Sequence, residues 1–255
     1  MTDCKALRRF CAGIVFMAVT SSMSMTTQAA EEEWSFSLAP YFWMSGLKGD
    51  VAPFSALPPV SVDASFSDVF DTLRMAALLA GEARKGRWAL VGDIQYYDLE
   101  ADANTPAGLY TGVALGTKLN VYSGGIAYRF SGDKDTFVDG IASLRYMSVD
   151  TSLVFYEGLL PTLSASASDS WVDPMVGVKG RAEFAERWSA MGWAMFAVGG
   201  DSDSSWDAFA AVSYRLTDSW QAQLGYRQMK VDYTKGGFVY DITQAGPMLG
   251  VSYTF

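Results

Sequence analysis

Apolar and polar residues alternate along most of this chain, and its last stretch, Gly246 to Phe255, shows the alternation most clearly. A period of two residues is typical of a β-strand whose two faces meet different surroundings. One face of this stretch is apolar and aromatic, with Pro247, Leu249, Val251, Tyr253 and Phe255. An open sheet edge of this kind would aggregate in water. A closed barrel in a lipid bilayer has no open edge, because its last strand pairs with its first.

Further segments with the same strand character precede this one along the chain. The full set of predicted strands, the last one included, is residues 34–45, 73–84, 88–99, 117–130, 136–149, 170–183, 188–198, 204–215, 220–230 and 242–255. The connections between them alternate in length, as do the short periplasmic turns and long external loops of outer-membrane barrels. The pattern predicts an all-β fold, a closed antiparallel transmembrane β-barrel of about ten strands with both termini periplasmic. Eight or twelve strands are the alternatives if a segment has been split or merged.

The long connections of this topology are expected on the external side of the membrane. They are residues 46–72, 100–116, 150–169 and 231–241, whereas the connection at 199–203 is short for that side. The first of them is predicted to hold a short amphipathic helix, because Phe66, Val69, Phe70 and Leu73 have helical spacing and Ser65 precedes Asp68 as in a capping box. Two interpretations of this helix stay open: packing against the barrel rim, or a plug that gates the mouth.

The amino-terminal segment is predicted to be a signal peptide, residues 1–30. Lys5, Arg8 and Arg9 form a positive start, and residues 10–19 form an apolar core that is too short to span a membrane as a helix. Small residues then allow cleavage after Ala29 or Ala30. The barrel is accordingly assigned to residues 31–255.

The bulk composition excludes several kinds of site. Both cysteines of the sequence, Cys4 and Cys11, belong to the predicted signal peptide, so a disulfide or a thiolate metal site is not expected in the barrel. The formal net charge is −9, which makes the chain a poor candidate for nucleic-acid binding. We expect no cofactor and no metal site.

The charged residues of the predicted strands are expected on the inner row, because a charge facing lipid near the midplane costs about 2–4 kcal/mol. They are Arg74, Glu82, Arg84, Asp93, Arg129, Asp139, Arg145, Asp173, Lys179, Arg181, Arg215 and Arg227. One interpretation is a network of paired charges that closes a narrow lumen. The other is a narrow, mildly anion-favouring pore lined by the arginines.

Enzymatic activity is not expected. The outer-membrane phospholipase, palmitoyltransferase, lipid A deacylase and omptin-type protease families rely on a catalytic histidine, and this sequence contains no histidine. Asp201 and Asp203 are the remaining candidate pair for acid–base catalysis. They lie in a segment rich in glycine and serine, where carboxylates are usually just solvated.

Three functional hypotheses follow. The first is a narrow channel for small polar or anionic solutes, the second a closed structural or surface-interaction barrel that binds through its external loops, and the weakest a lipid-modifying or proteolytic enzyme. The expected partners are outer-membrane lipid and lipopolysaccharide, the barrel-assembly machinery and, for a channel, small solutes.

Several stretches of the chain resemble a family of Gram-negative, porin-like outer-membrane β-barrel proteins. They are residues 40–43 (PYFW), 62–70 (VDASFSDVF), 82–93 (EARKGRWALVGD), 171–177 (WVDPMVG), 225–227 (GYR) and 231–250. The resemblance implies a barrel in the bacterial outer membrane, but it supplies no substrate and no catalytic residues. The terminal Phe255 also resembles the assembly signal of such barrels.

Overall fold

A computed structural model describes residues 33–54, 58–105 and 109–255, so the predicted signal peptide lies outside the described residues. These described residues form a closed β-barrel with an additional hairpin and one short helix. The barrel strands are β1 (Trp34–Trp43), β4 (Leu73–Lys85), β5 (Trp88–Ala103), β6 (Tyr110–Gly132), β7 (Phe137–Glu157), β8 (Leu163–Ala185), β9 (Trp188–Ala197), β10 (Ser204–Arg215), β11 (Trp220–Lys235) and β12 (Phe238–Thr254). The additional elements are β2 (Gly46–Ala52), β3 (Val60–Ala64) and α1 (Phe66–Thr72).

The barrel closes between its first and last strands. Each strand pairs antiparallel with its neighbours in the order β1, β4 to β12, and β12 returns to β1 with Ser37 opposite Thr254 and Trp43 opposite Met248. Beyond Met44 the chain continues along the same partner, because β2 pairs with the first half of β12. The prediction of a closed antiparallel barrel of ten strands is confirmed.

The two rows of each strand differ as the alternation predicts. In the last strand Leu249 is half-exposed on the outer row, whereas Met248 is buried on the inner row. Trp–Tyr pairs lie side by side on neighbouring strands at the periplasmic end of the outer row, with ring centroids 4.7 to 4.8 Å apart: Trp88 with Tyr128, Trp188 with Tyr214 and Trp220 with Tyr253. Such aromatic girdles mark the edge of the apolar band.

Several strands continue well beyond the apolar band on the external side. The outer row of β5 is apolar from Trp88 to Tyr96, which is about 26 Å along the strand. The prediction of loops at 100–116, 150–169 and 231–241 is wrong. Most residues of these segments lie in strands β5 to β8, β11 and β12. Paired strands keep their backbone groups bonded outside the membrane as well as inside it.

The first external connection is also more ordered than a loop. The strands β2 and β3 form a hairpin on the edge of β12, and α1 follows with the predicted capping box, in which the Asp68 N–H donates to the Ser65 hydroxyl at 3.3 Å and the Ser65 N–H donates to Asp68. The Ser65 hydroxyl also donates to the Asp68 carboxylate, at 2.6 Å, and this bond together with the one from the Ser65 N–H lowers the pKa of Asp68. Phe66 packs on Phe42 of the outer row, with centroids 6.1 Å apart, so α1 lies at the rim and is not a plug.

Strands β9 and β10 extend less far on the external side than their neighbours β8 and β11, so the barrel wall is lowest there. These strands are joined on the external side by residues 198–203, close to the short connection predicted at 199–203. Within the described part of the chain, no helix has the length and apolar character needed to cross a membrane.

Candidate functional site: the charged interior of the barrel

Four charged residues meet in the middle of the barrel and form the central cluster: Asp93, Arg145, Asp207 and Arg227. Asp207 is the shared acceptor, 1% exposed. Its Oδ2 lies 2.7 Å from Arg145 Nη2, and Arg227 reaches both of its oxygens, with Nε at 3.1 Å from Oδ1 and Nη2 at 2.7 Å from Oδ2. Arg227 Nη2 also lies 3.5 Å from Asp93 Oδ1. Two carboxylates therefore neutralise two guanidinium groups in the barrel centre.

Aromatic side chains from across the barrel fix the position of Arg227. Its Nη1 donates to the Tyr41 hydroxyl at 3.0 Å, which in turn donates to Asp93 at 2.7 Å. The guanidinium also lies over the rings of Trp43 and Trp193, at 5.0 and 5.4 Å from their centroids. Ring faces attract a desolvated cation, so these contacts offset part of the cost of burying Arg227.

A second group, the periplasmic cluster, consists of Glu82, Arg84, Arg129, Asp139 and Lys179. Arg129 Nε lies 3.0 Å from Asp139 Oδ1, and Arg84 bonds both Asp139 and Glu82. Lys179 completes the cluster through Glu82. The ring of Phe137 lies among these cations, and Arg129 is 4.0 Å from its centroid.

Arg181 and Arg215 lie nearer the periplasmic opening. Arg215 pairs with Glu183 at 2.7 Å and with Asp135 at 3.2 Å. Arg181 donates to the amide oxygen of Gln221 at 2.8 Å. These residues remain partly exposed, as expected at the end of the barrel.

Two residues of the predicted inner charge set are not part of these groups. Arg74 lies at the external end of β4, with 62% of its side chain exposed, and pairs with Glu100. Its assignment to the lumen is wrong, because β4 extends above the apolar band and has an irregular register at that end. Asp173 faces inward and is buried, yet it accepts hydrogen bonds from Ser202, from N–H at 3.0 Å and from the hydroxyl at 2.7 Å.

Asp173 therefore anchors the connection between β9 and β10. We expect Asp173→Ala to accelerate amide hydrogen exchange at residues 198–203 and to lower the free energy of unfolding by about 1–3 kcal/mol, because the Ser202 groups lose their partner. Hydrogen exchange read by mass spectrometry would measure this. Asp203→Asn, in the same connection, is the matched control. Unchanged exchange at Ser202 in the alanine variant would contradict the anchoring role.

An apolar layer covers the central cluster on its external side. Trp171 stacks on Tyr233 with centroids 4.2 Å apart and planes at 9°, and it also contacts Phe238 and Tyr240. Inner-row residues of the neighbouring strands complete the layer: Leu119, Val121, Met147, Val149, Met229, Val231 and Ile242. The interior is thus filled in succession by ion pairs and by apolar side chains.

Asp207 is the charged residue of the central cluster that sequence reasoning missed. The alternation of β10 puts it on the same row as Arg215, which was assigned correctly to the inside. The alternation of β10 could therefore have identified Asp207 as an inner charge, but the predicted set does not contain it. Tyr41, Trp43 and Trp193 were missed as partners of Arg227 because they lie on β1 and β9, neither of which pairs with β11.

Comparison with known proteins agrees with this fold. No family model and no curated protein matches the chain. Among solved structures, the outer membrane protease OmpT from Escherichia coli is similar, with a TM-score of 0.57, 9% identity, and coverage of 88% of this chain and 97% of that one. Ail, the attachment invasion locus protein of Yersinia pestis, has a TM-score of 0.37, 12% identity, and coverage of 88% and 99%. Likeness at this level of identity concerns the fold alone. This chain is a closed antiparallel β-barrel with an apolar outer row, a fold that it shares with an outer-membrane protease.

Proposed function

We propose that this protein is a closed outer-membrane barrel that does not conduct solutes and that acts through its external extension. One observation carries the proposal: the inner row is shielded from solvent in the middle of the barrel. Gln95, Val121 and Met147 are 0% exposed although they face the interior. A water-filled pore would expose these side chains.

The channel hypothesis requires more than a change of rotamers. A path for solutes would have to separate Arg227 from Asp207 and also open the stack of Trp171 on Tyr233. Separating a buried pair leaves uncompensated charge, which costs about 3–5 kcal/mol. The alternative, a narrow anion-favouring channel, is therefore the less favoured function.

We also propose that the protein is not an enzyme. The sequence has no histidine, and Asp201 of the candidate pair accepts a hydrogen bond from the Val172 N–H at 3.1 Å and lies 4.0 Å from Lys235. These contacts are those of a residue that holds a turn in place. Digestion of a peptide library that is abolished by Asp201→Asn would contradict this part of the proposal.

Planar-bilayer recording of the refolded protein tests closure directly. We expect no channel events, because the ion pairs and the apolar layer fill the interior. Co-flotation with lipid vesicles confirms that the protein has inserted. Regular conductance steps with anion selectivity would overturn the proposal and support the channel.

Thiol labelling gives an independent test, since both native cysteines precede the described residues. Met147→Cys, on the buried inner row, should react more than about tenfold more slowly with a charged methanethiosulfonate reagent than Ser166→Cys, because thiol reactivity follows exposure. Equal labelling of the two variants would indicate an accessible lumen.

The outer surface of the barrel indicates which partners the protein has in the membrane. The exposed apolar row, with Leu224 and Leu249 among its members, contacts membrane lipid. Phe255 ends the closing strand, 69% exposed, with its N–H bonded to the Phe36 carbonyl at 2.8 Å. We propose that the assembly machinery recognises this terminus, and that lipopolysaccharide surrounds the external rim.

A further inference from the structure

The external part of β8 has an open edge. Residues 163–173 pair with β7 on one side, whereas the pairing with β9 on the other side begins only at Met175. The connection 198–203 covers the edge near Val172, whose N–H and carbonyl both bond to Asp201. Residues 163–170 have no strand neighbour on that side within the described chain.

The backbone groups on this edge belong to serines. In an antiparallel ladder alternate residues direct their N–H and C=O groups to the same side. Because the backbone N–H and C=O groups of Val172 point to the open side, those of the residues at even positions before it do so too: Ser164, Ser166, Ser168 and Ser170. The Ser170 N–H is taken by the Asp169 carboxylate at 2.8 Å, which leaves the other three serines available.

This edge carries little of the usual protection against strand addition, since Asp169 is the one charged residue in 163–170. Natural edge strands carry lysine, proline or a bulge that blocks another strand. Residues 163–170 contain neither lysine nor proline, and the register of β8 with β7 is regular here. The small side chains of serine and alanine allow a second backbone to approach closely. An added strand would lie in line with β9, above the low point of the wall.

The charges around the edge determine the kind of strand that fits. Asp150, Asp169, Asp201 and Asp203 surround it, against the basic residues Lys118 and Lys235. Across the low wall, burial and the carboxylates of Asp241 and Asp203 raise the pKa of Asp232, as expected where negative charge accumulates. A positively charged guest is therefore favoured.

We propose that residues 163–170 bind an extended cationic peptide, which adds to β8 as a further strand. The inference rests on the proposed function, in which the external side does the binding. Backbone hydrogen bonds provide attachment in this mode, and side chains provide selectivity. The eight residues of the edge accommodate a guest of about 26 Å.

The test uses the full chain in phosphatidylcholine vesicles and fluorescein-labelled (Lys-Val)4, with fluorescence anisotropy as the readout. We expect saturable binding of this peptide and none of (Glu-Val)4. A (Lys-Val)4 peptide methylated on every backbone amide nitrogen keeps its charge but has no backbone N–H to donate on either edge, so it should bind at least about tenfold more weakly.

Ser166→Pro provides the matched change in the protein. It removes an N–H that points to the open side, so the ladder with β7 is retained and the barrel should fold, as its circular dichroism will show. We expect at least about a tenfold loss of affinity for (Lys-Val)4 in this variant. Ser166→Ala keeps the backbone donor and should bind within about twofold of the parent.

Three results of the peptide experiment would overturn the inference: no binding of (Lys-Val)4, equal binding of the methylated peptide, or undiminished binding to a folded Ser166→Pro variant. The last two would show attraction to an acidic surface alone. If a second copy of this chain occupied the edge, the protein would self-associate in the absence of peptide, and Ser166→Pro would abolish that association. This result would also overturn the inference. Bilayer recording remains a separate readout, so a silent bilayer with no peptide binding would reject only this inference.

Discussion

Asp207→Asn should lower the free energy of unfolding by about 3–5 kcal/mol. The substitution keeps the shape of the side chain but removes the charge that Arg145 and Arg227 share. Asp93 is then the remaining carboxylate of the central cluster, 3.5 Å from Arg227, and Arg145 keeps no ion pair among the described residues. An uncompensated buried guanidinium is costly because protein and lipid replace the water around it. Urea unfolding in detergent micelles would measure the loss.

The same chemical change at an exposed pair is the control. Asp63→Asn removes the partner of Lys48, 3.4 Å away, where both side chains are largely in water. Its effect should not exceed about 1 kcal/mol. Adding Arg145→Met to Asp207→Asn should recover part of the stability, because the guanidinium left without a carboxylate partner is removed. A loss below 1 kcal/mol for Asp207→Asn would mean that water reaches the cluster, contrary to a closed interior.

Trp171→Ala should cost about 3–5 kcal/mol, since it removes the central ring of the apolar layer. Trp171 is 1% exposed and stacks on Tyr233, so its truncation leaves a cavity between the external halves of β8 and β11. The same urea experiment measures the effect. In the Met147→Cys background, the variant should also increase the rate of thiol labelling, because Met147 lies opposite Trp171 in the β7–β8 ladder.

Trp171→Phe separates the loss of packing from the loss of stacking. It keeps an aromatic ring over Tyr233 and should cost clearly less than the alanine variant. A fast rate of thiol labelling for Met147→Cys even with Trp171 intact would contradict the sealing role of the layer. Equal stability of the alanine and phenylalanine variants would show that the ring itself contributes little.

The barrel could be predicted from the sequence because the bilayer constrains every strand that crosses it. Lipid requires apolar residues on the outer row, and closure requires pairing at both edges of the sheet. These two conditions explain why the periplasmic ends of β1, β11 and β12 were predicted to within one residue of their observed positions. They also explain why the inner row was assigned correctly for Arg145 and Arg227.

The external extension could not be predicted in the same way. Outside the membrane neither row has to be apolar, and the segment 163–170 has serine on one row with leucine, alanine and aspartate on the other. Its glycine-free, polar sequence is compatible with a loop as well as with a strand. Pairing with β7, which the local sequence does not encode, decides the outcome.

The choice of ion-pair partners was equally out of reach. Arg145 lies opposite Asp173 in the β7–β8 ladder, so adjacency along the sheet favours that pair. Arg145 instead crosses the lumen to Asp207 on β10, and Asp173 binds Ser202. Such contacts depend on the diameter and stagger of the closed barrel, which a row assignment does not contain.

The seam between β1 and β12 has a consequence for the order of folding. The hydrogen bond from Arg227 to Tyr41 joins residues separated by 186 positions, and it crosses this seam from β11 to β1. Neither partner can meet the other before the last hairpin is synthesised and docked. Contacts of such long range form late, after loop-closure entropy has been overcome. Until then Asp93 and Arg227 remain hydrated on opposite ends of an open sheet, so dehydration of the central cluster coincides with completion of the ring.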